Sequence, residues 1–508
     1  MPLRHSLKKQ LEEDGLSPAS RALLRCRVAG ELISSGKYAD AAEALGEFWQ
    51  GAGERPAVAG FEDRIAAEVL LQCGTLTGWV GESEHLEGAQ ENAKDLICES
   101  KGIFERLSES EKTAEAETEL GYCYWRLGEY DNARVVLEQA IEHFGQSDGE
   151  MTALAHLRLA IVEATTKHYE RALEILNSSS HLFERDGRSD ALRGKFYVNR
   201  ATVLKNIEDP TKKETYTDLA LLDYAAASYH FDQAGHKSYR AAVENQLGLL
   251  HHARESYGEA HGHLNLARSL FVQLRDRTHV AQVDEAICRV FISEREYFEA
   301  EEVGRSAVVM LERSEARGLL AEALISLGTA EARNGRTVLA KGSFTRAAEI
   351  ASLAGERDMA ASAHITLLEE LLPHLDEEAR TEHYDAADSL LRQCAPPALL
   401  DRLRICAKTI ITTRKEAKQK TTFVTPDAET IDWPNFTLTE VLRQYQRSFV
   451  ERALEEGGSV TRAAQLLGFK HHNSLNDILK RRGKELSGAA PPVKKRKRLP
   501  QKTASKGN

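Results

Sequence analysis

Amide, hydroxyl and ammonium side chains cluster near the C-terminus of the chain, one to four residues apart. They belong to Asn473, Ser474, Asn476 and Lys480. When a helix lies in the major groove of DNA, its amide side chains can form hydrogen bonds with adenine and its ammonium groups can form hydrogen bonds with guanine. We therefore expect these four side chains to contact base edges, provided that neighbouring elements hold them on one exposed helix.

Basic residues around this cluster could neutralise phosphate groups, which supply much of the affinity of proteins for DNA. Arg481 and Arg482 follow the cluster directly. The C-terminal tail contains five consecutive basic residues, Lys494, Lys495, Arg496, Lys497 and Arg498. The predicted DNA-binding set is completed by Arg462, Lys470, His471 and His472. For the basic run two other interpretations stay open, a solvated tail and a nuclear import signal.

Motifs for catalysis or metal binding are absent from the sequence. There is no G-x-S-x-G, no H-E-x-x-H and no glycine-rich phosphate loop. The histidines His251, His252, His261 and His263 lie close together, but neither pair has the i, i+4 spacing that places two imidazoles on one helical face. We expect packing or surface histidines, no metal, no cofactor and no enzyme activity.

The proposed base contacts require helices that position them, and glycines divide the C-terminal segment into three. The first predicted helix, residues 439–456, ends at two glycines. Ser459 can cap a second helix, which stops at Gly468, and a third starts near Asn473 or Ser474. The residues expected to face inward are Val441, Leu442, Tyr445, Phe449, Val450, Ala453 and Leu454 on the first helix and Leu475, Ile478 and Leu479 on the third.

Two small residues, Ala463 and Ala464, allow the second and third helices to cross closely. The pattern of this segment resembles the Fis-type helix-turn-helix of bacterial regulators, on Arg462, Ala463, Ala464, Leu467, Gly468, Leu475, Lys480 and Arg481. The resemblance implies binding to double-stranded DNA and, because one such motif binds weakly, a homodimer formed through helix 439–456. The turn FKHHNS is one residue longer than usual, and Asp477 stands where the family commonly has a base. A plain helical cap is the competing interpretation.

Upstream, one stretch recurs along the chain. From Leu120 to Ala140 it reads LGYCYWRLGEYDNARVVLEQA, with small and aromatic residues at helical spacings on both sides of Gly128. Two short antiparallel helices, packed closely at Gly121 and Ala133, satisfy this pattern. The stretch resembles the tetratricopeptide repeat, which has a small residue, an aromatic, a turn glycine, an aromatic and an alanine at these intervals.

Further copies of the stretch keep the same offsets from Gly248, Cys288 and Gly328. The step between them is 40 residues, against about 34 in the standard repeat. We therefore expect slightly longer helices. Weaker copies precede them, and one of these carries an insertion at Asp209 and Pro210.

The predicted fold is all-α, a solenoid of about eight tetratricopeptide-like hairpins followed by a small helix-turn-helix. The repeat pattern loosens beyond residue 353, and the segment before the helix-turn-helix lacks an apolar period. The expected divisions are a lead-in (1–20), the solenoid (21–411), a linker (412–435), the helix-turn-helix (436–487) and a disordered basic tail (488–508).

In tetratricopeptide families the first helix of each hairpin lines a concave groove, and the resemblance implies the same here. The residues that would face this groove are Tyr122, Trp125, Arg126, Asn245 and His252. Aromatic and amide side chains can bind a protein or peptide partner there. In the competing interpretation they only pack against a neighbouring repeat.

Composition and charge fit a soluble, helix-rich protein. Only 12 of the 508 residues are Pro, and no run of about 18 apolar residues could span a membrane. The seven cysteines stand singly, and the first residues lack the apolar core of a signal peptide, so a reducing, cytoplasmic location is expected. From Leu438 onward 16 Lys and Arg stand against 6 Asp and Glu, a net charge of +10, whereas the whole chain carries −11. The preceding part therefore carries about −21, and DNA should bind only the C-terminal part.

These patterns favour a bacterial DNA-binding transcriptional regulator whose repeats bind a protein or peptide signal. The alternative is a tetratricopeptide interaction scaffold whose basic tail recruits nucleic acid without sequence preference. The two hypotheses differ in the role of Asn476, which affects site preference only in the regulator.

Overall fold

The computed structural model describes residues 17–84, 86–392, 396–421 and 437–486, without the side chains of 414–421 and 481–486. Helices form the regular structure of these ranges, and no strand occurs within them. The all-α class predicted from the sequence is confirmed. The chain divides into two compact units, residues 1–412 and 413–508. None of the described helices is long and apolar enough to cross a bilayer.

Helical hairpins build the first unit, and each has a first and a second helix. In chain order the pairs are α1 (Pro18–Ser34) with α2 (Tyr38–Leu45), α3 (Asp63–Glu84) with α4 (Ala89–Arg106), α5 (Ser110–Arg126) with α6 (Tyr130–Phe144), α7 (Glu150–Thr165) with α8 (Tyr169–Glu184), α9 (Asp190–Asn206) with α10 (Lys213–Gln233), α11 (Lys237–Ala253) with α12 (Tyr257–Leu274), α13 (Arg277–Glu294) with α14 (Tyr297–Leu311), α15 (Arg317–Arg333) with α16 (Thr337–Leu353), and α17 (Arg357–Leu371) with α18 (Glu377–Leu391). A single helix, α19 (Pro397–Thr421), follows them.

The stretch from Leu120 to Ala140 forms most of the hairpin α5–α6, as its pattern predicts. Gly128 lies between the helices at φ +77°, in the left-handed conformation that glycine adopts most readily. Gly121, Ala133 and Leu137 are buried where the two helices face each other.

The two helices of a hairpin approach more closely than a side chain at the contact would allow. A Cβ atom at Gly121 would lie 2.5 Å from Cγ of Leu137, and one at Gly248 would lie 2.5 Å from Cγ of Leu264. The equivalent Gly328 would clash with a buried ring of α16. The small residue of the repeat is therefore a requirement of packing.

A ninth hairpin, α17–α18, lies where the repeat pattern loosens in sequence, after eight hairpins that end at Leu353. It lacks the aromatic residues of the other copies. Leu368, Leu371, Ala387 and Leu391 are buried and supply its core instead. An apolar stripe on each helix suffices for packing. The aromatic residues of the repeat pattern only make a hairpin easier to recognise in the sequence.

Within the segment predicted as a linker, 412–435, α19 continues to Thr421. Its last residues, RKEAKQK at 414–420, are mostly strong helix formers, which extend a helix without an apolar face. The remainder of the predicted linker lies outside the described residues. So does most of the predicted lead-in, since the description starts at residue 17.

Polar contacts connect neighbouring first helices within the buried part of the solenoid. The hydroxyl of Ser326 on α15 donates to Oε1 of Glu285 on α13 at 2.6 Å. Both residues are buried. Burial raises the pKa of Glu285 to about 7, since a charge is poorly solvated there.

The second unit contains three helices, α20 (Leu438–Gly457), α21 (Val460–Leu466) and α22 (His472–Leu486). The hydroxyl of Ser459 caps α21 by accepting the N–H of Arg462 at 3.4 Å. Gly468 follows α21 at φ +73° and allows the turn into α22. The buried residues of this small core are Val450, Ala453, Ala463, Ala464 and Leu475.

The prediction that Leu442 and Phe449 face inward on α20 is wrong, because these side chains are 58% and 54% exposed. Val450 and Ala453 are buried, as predicted. The described contacts of this core lie toward the end of α20, since α21 and α22 are short.

Gly121→Ala and Gly102→Ala make the same change at two helical glycines with different surroundings. Gly102 on α4 has open space beside it, so alanine there should raise the free energy of unfolding by about 0.5–1 kcal/mol. At Gly121 the added methyl group meets Leu137, and overpacking should lower stability by about 1–3 kcal/mol relative to the Gly102 variant. Urea unfolding followed by circular dichroism compares them. Equal effects at both sites would contradict the close approach of α5 and α6.

Glu285→Gln tests the buried carboxyl group. The unfolded chain releases this proton near the ordinary pKa of 4.5 and the folded protein near 7, so stability should fall as pH rises between these values. Glutamine at this position cannot ionise. The variant should therefore lose this pH-dependent part of the free energy of unfolding, which is on the order of 1–3 kcal/mol. Urea unfolding at pH 5 and pH 8 measures it, with the exposed Glu299→Gln as control. An unchanged pH dependence in Glu285→Gln would show that the group titrates normally.

Candidate functional site

Four aromatic side chains form a continuous stack along the first hairpins. Tyr38 stacks on Trp79 with ring centroids 5.7 Å apart, and Trp79 stacks on Tyr122 at 4.6 Å. Trp125 lies 5.6 Å from Tyr122, and its indole N–H donates to the hydroxyl of Thr165 at 2.9 Å. The stack crosses three hairpins and offers a flat apolar surface with few rotatable bonds.

Glu82 on α3 connects this stack to charged groups. It accepts a hydrogen bond from the hydroxyl of Tyr122 at 2.6 Å and pairs with Arg126 at 2.9 Å. Burial raises the pKa of Tyr122, and the hydrogen bond to Glu82 raises it further. The phenol therefore stays a protonated donor at neutral pH.

Arg158 on α7 also lies against Tyr122, with its guanidinium carbon 5.0 Å from the ring centroid. It donates to the carbonyl oxygen of Thr118 at 2.7 Å and pairs with Glu119 at 3.0 Å. The side chain is buried, so this pair neutralises a charge that would otherwise be costly.

The stack has neighbours from hairpins that are distant in sequence. Burial raises the pKa of Tyr38, and Tyr239 at the start of α11 contributes to this shift, although several hairpins lie between them in sequence. Burial and two nearby lysines, one from hairpin 1 and one from hairpin 5, likewise lower the pKa of His236. Tyr239 and Lys195 therefore belong to the surroundings of the stack. We call this surface the inner face and define it by Tyr38, Trp79, Glu82, Tyr122, Arg158, Lys195 and Tyr239.

The second unit presents polar side chains where α21 turns into α22. A Cβ atom at Gly457 would lie 2.8 Å from the backbone nitrogen of Ala463, so the end of α20 lies directly against α21. Ala463 and Ala464 are 0% and 1% exposed. The turn and the start of α22 are largely exposed beside this compact core.

Residues 112–185 match the tetratricopeptide repeat family. They cover α5 to α8, the third and fourth hairpins. These two hairpins are tetratricopeptide repeats. Repeats of this family are scaffolds for protein interaction. No curated protein matches the chain.

Several solved structures are similar to part of the chain. The apo form of the quorum sensor NprR from B. thuringiensis is 15% identical and has a TM-score of 0.46, with 73% of this chain and 99% of that chain covered. A Rap protein complexed with competence and sporulation factor is 14% identical, with a TM-score of 0.44 and coverage of 74% and 99%. A signal-transduction ATPase with a tetratricopeptide repeat sensor from Pyrococcus horikoshii is 14% identical, with a TM-score of 0.49 and coverage of 72% and 57%. At these values the likeness carries no argument about function.

The five groove residues predicted from the sequence fall in two places of the solenoid. Tyr122, Trp125 and Arg126 come together on α5, at or beside the inner face. Asn245 is 6% exposed, and its Oδ1 has no hydrogen-bond partner among the described residues. A ring nitrogen of His252 lies 2.8 Å from the hydroxyl of a serine on α13. The latter two are separate from the aromatic stack.

Sequence reasoning missed Trp79 and Lys195 on the inner face. A signal for Trp79 exists, since it follows Gly74 by five residues as Arg126 follows Gly121. A Cβ atom at Gly74 would also clash with the second helix of its hairpin. For Lys195 the insertion after α9 obscures the repeat, and no comparable signal is present.

The predicted DNA-binding residues are mostly exposed where the structure describes them. Asn476 is half-buried. The exposed members are Arg462, Lys470, His471, His472, Asn473, Ser474 and Lys480. The side chains of Arg481 and Arg482 and the whole run Lys494, Lys495, Arg496, Lys497 and Arg498 lie outside the described residues.

The histidines of the sixth hairpin take part in packing and polar contacts. A ring nitrogen of His263 lies 2.7 Å from Glu244, and one of His261 lies 2.8 Å from Glu294. His251 stacks on His263 at 5.2 Å. Within the described ranges no group of three or more His, Cys, Asp or Glu is arranged to hold a metal ion.

Ala463→Leu should loosen the second unit, because Ala463 is fully buried where α20 meets α21. Overpacking by a larger side chain costs about 1–3 kcal/mol. Hydrogen exchange of the full chain should become faster at the amides of α21 and α22 by tenfold or more. Gln465→Leu adds a similar side chain at an exposed position of α21 and should leave exchange unchanged. Equal protection in both variants would contradict the close packing.

Proposed function

We propose that the chain is a transcriptional regulator whose C-terminal unit binds double-stranded DNA as a Fis-type helix-turn-helix and whose solenoid binds a protein or peptide partner. One observation carries the DNA-binding part, the packing of α21 and α22 at Ala463 and Ala464. This packing leaves the start of α22 exposed, and helix-turn-helix proteins place that end of their second helix in the major groove. The proposal assigns no catalytic role.

Side chains of α22 supply the proposed base contacts. Asn473 and Ser474 are exposed in its first turn, and Lys480 is exposed farther along. Their amide, hydroxyl and ammonium groups can donate to or accept from base edges. Asn476 is half-buried, so Asn473 is the amide with the freer approach to DNA.

Phosphate contacts come from the basic residues around these side chains. Exposed residues near the turn supply some of them, Arg462, Lys470, His471 and His472. Arg481, Arg482 and the run 494–498 are added on sequence grounds alone. The net charge of about +10 from residue 438 onward, against about −21 before it, directs DNA to this unit.

A homodimer formed through α20 is part of the proposal. Leu438, Leu442 and Phe449 are 61%, 58% and 54% exposed, at spacings of four and seven residues on one helical face. An apolar stripe of this kind favours self-association. Two copies would then contact half-sites about 34–36 Å apart on DNA.

The alternative function is an interaction scaffold that binds nucleic acid without sequence preference. It is favoured by the basic excess itself, since 16 Lys and Arg against 6 Asp and Glu suffice for phosphate binding without base contacts. The two functions predict different effects of the same substitutions.

Selection of bound fragments from a random DNA pool by the full chain should return a two-fold motif at near-physiological salt. Asn473→Ala should weaken binding to that motif by about 1–3 kcal/mol and relax the preference at one position of each half-site. Asn476→Ala should relax the preference as well. Lys470→Ala should instead weaken binding to all sequences alike and reduce the salt dependence by about one ion.

Binding without any recovered motif, unaffected by Asn473→Ala and lost on removal of residues 494–498, would reject the regulator. It would support the scaffold. Hydrogen exchange of α22 in each variant verifies that the unit remains folded.

A further inference from the structure

One side of α10 exposes large apolar side chains. Leu219, Leu222 and Tyr229 are 43%, 67% and 61% exposed. They belong to a row of residues that follow one another at alternating steps of four and three, and no member of the row is buried. This alternation keeps residues on one side of a helix and is the spacing at which two helices pack side by side. We call the row the α10 stripe and define it by Thr215, Leu219, Leu222, Ala226, Tyr229 and Gln233.

The second helix of the preceding hairpin is polar at the same positions. The buried residues of α8 and α10 recur at matching places, beginning with Ala172 and Ala220. Counted from these alanines, the three large side chains of the α10 stripe fall where α8 carries Arg171, Glu174 and His181. A second helix of this solenoid therefore needs no apolar residue at these positions for its own packing. An exposed apolar row with polar surroundings marks a protein interaction surface.

The α10 stripe is complementary to a second copy of itself. When two copies of α10 lie antiparallel with the two-fold axis level with Tyr224, every stripe residue faces another stripe residue. Leu222 then faces Ala226 of the partner subunit, so that a large side chain meets a small one near the axis. Leu219 faces Tyr229 of the partner subunit at either end. A helix of unrelated sequence has no reason to match this order of large and small residues.

Charged residues of α10 favour the antiparallel direction. Lys213 is exposed at the start of the helix and Asp232 near its end. In the antiparallel pair, Lys213 lies within about one turn, 5.4 Å, of Asp232 of the partner subunit. A parallel pair would place like charges together at both ends, which is unfavourable. Asp218 and Asp232 are already paired with Arg254 and Arg240, so the carboxylates beside the stripe are not left uncompensated.

The solenoid holds α10 in its helical conformation before any association. Tyr224, Ala227 and Phe231 are buried on the opposite side of the helix. Association therefore does not include the cost of forming a helix. The stripe from Thr215 to Gln233 extends about 27 Å along the helix axis. Burial of its large apolar side chains supplies the free energy of the contact.

We propose that the α10 stripe is a self-association surface, through which the solenoids of two copies pack with their α10 helices antiparallel. Leu219, Leu222 and Tyr229 are its main contacts. The surface consists of residues of the first unit alone, so the inference does not depend on the dimer proposed for α20.

Sedimentation of the full chain tests the inference in a background that lacks the apolar row of α20. Leu442→Asp and Phe449→Asp together supply this background, which should still form dimers at micromolar concentration. Leu222→Asp, added to the background, should raise the dissociation constant of the dimer by about tenfold or more. The reason is that the substitution removes an apolar contact at the centre of the interface.

Leu353→Asp is the matched control in the same background. Leu353 is 77% exposed at the end of α16, outside the α10 stripe, so the substitution introduces the same charge at a similarly exposed leucine. It should leave the dissociation constant unchanged. Circular dichroism verifies that each variant keeps its helices.

A mixture of two variants tests the antiparallel packing. Leu222→Asp and Ala226→Lys should each weaken the dimer when present alone. Mixed together they should form heterodimers, because the introduced carboxylate of one copy faces the introduced ammonium of the other. The second contact between Leu222 and Ala226 stays unchanged in the heterodimer. A parallel arrangement would not bring these two positions together.

The remaining outcomes would overturn the inference. A monomeric background would do so and would assign the stripe to a helix of another protein. If the unsubstituted chain were then still a dimer, the contact through α20 would stand, so the two dimer contacts are judged separately. A dimer that Leu222→Asp does not weaken would reject the stripe as its interface. Failure of the mixed variants to associate would reject the antiparallel arrangement.

Discussion

The closest contact between the two helices of a hairpin determines the geometry of the solenoid. At Gly121 and Gly248 there is no space for a methyl group, so the two helices of each of these hairpins are held at one distance and one rotation. With the rotation fixed, successive first helices meet along defined faces. This arrangement produces the aromatic stack that includes Trp79 and Tyr122 and the buried contact between neighbouring first helices. Because hairpins contact mainly their neighbours, the same kind of contact recurs from one hairpin to the next along the row.

Much of the architecture could be predicted from the sequence because it depends on local spacing. The offsets around Gly121 identify the hairpins, and Gly128, Ser459 and Gly468 mark helix ends by their own conformations and hydrogen bonds. The exposure of Leu442 could not be predicted in this way. This exposure depends on how far the partner helices extend along α20. The apolar pattern of α20 itself gives no information about the length of its partners.

The candidate site could be predicted only in part, for a similar reason. Tyr122, Trp125 and Arg126 lie within one repeat, and the family pattern assigns them a face. Lys195 and Tyr239 belong to later hairpins, and only the packing of those hairpins brings them into the surroundings of this cluster. That packing depends on several hairpins together, and none of the individual repeats encodes it.

The polar contacts between neighbouring first helices have a consequence for how the solenoid can change in evolution. Lys205 donates to Gln246 at one junction and Ser326 to Glu285 at another, so these junctions carry different pairs of partners. A hairpin moved to another position would bring the wrong partner to both of its neighbours and, at the second of these junctions, leave the buried Glu285 unsatisfied. The hairpins share one shape and are not interchangeable parts. Such an array cannot lengthen by duplication of one unit without compensating changes in the units on either side.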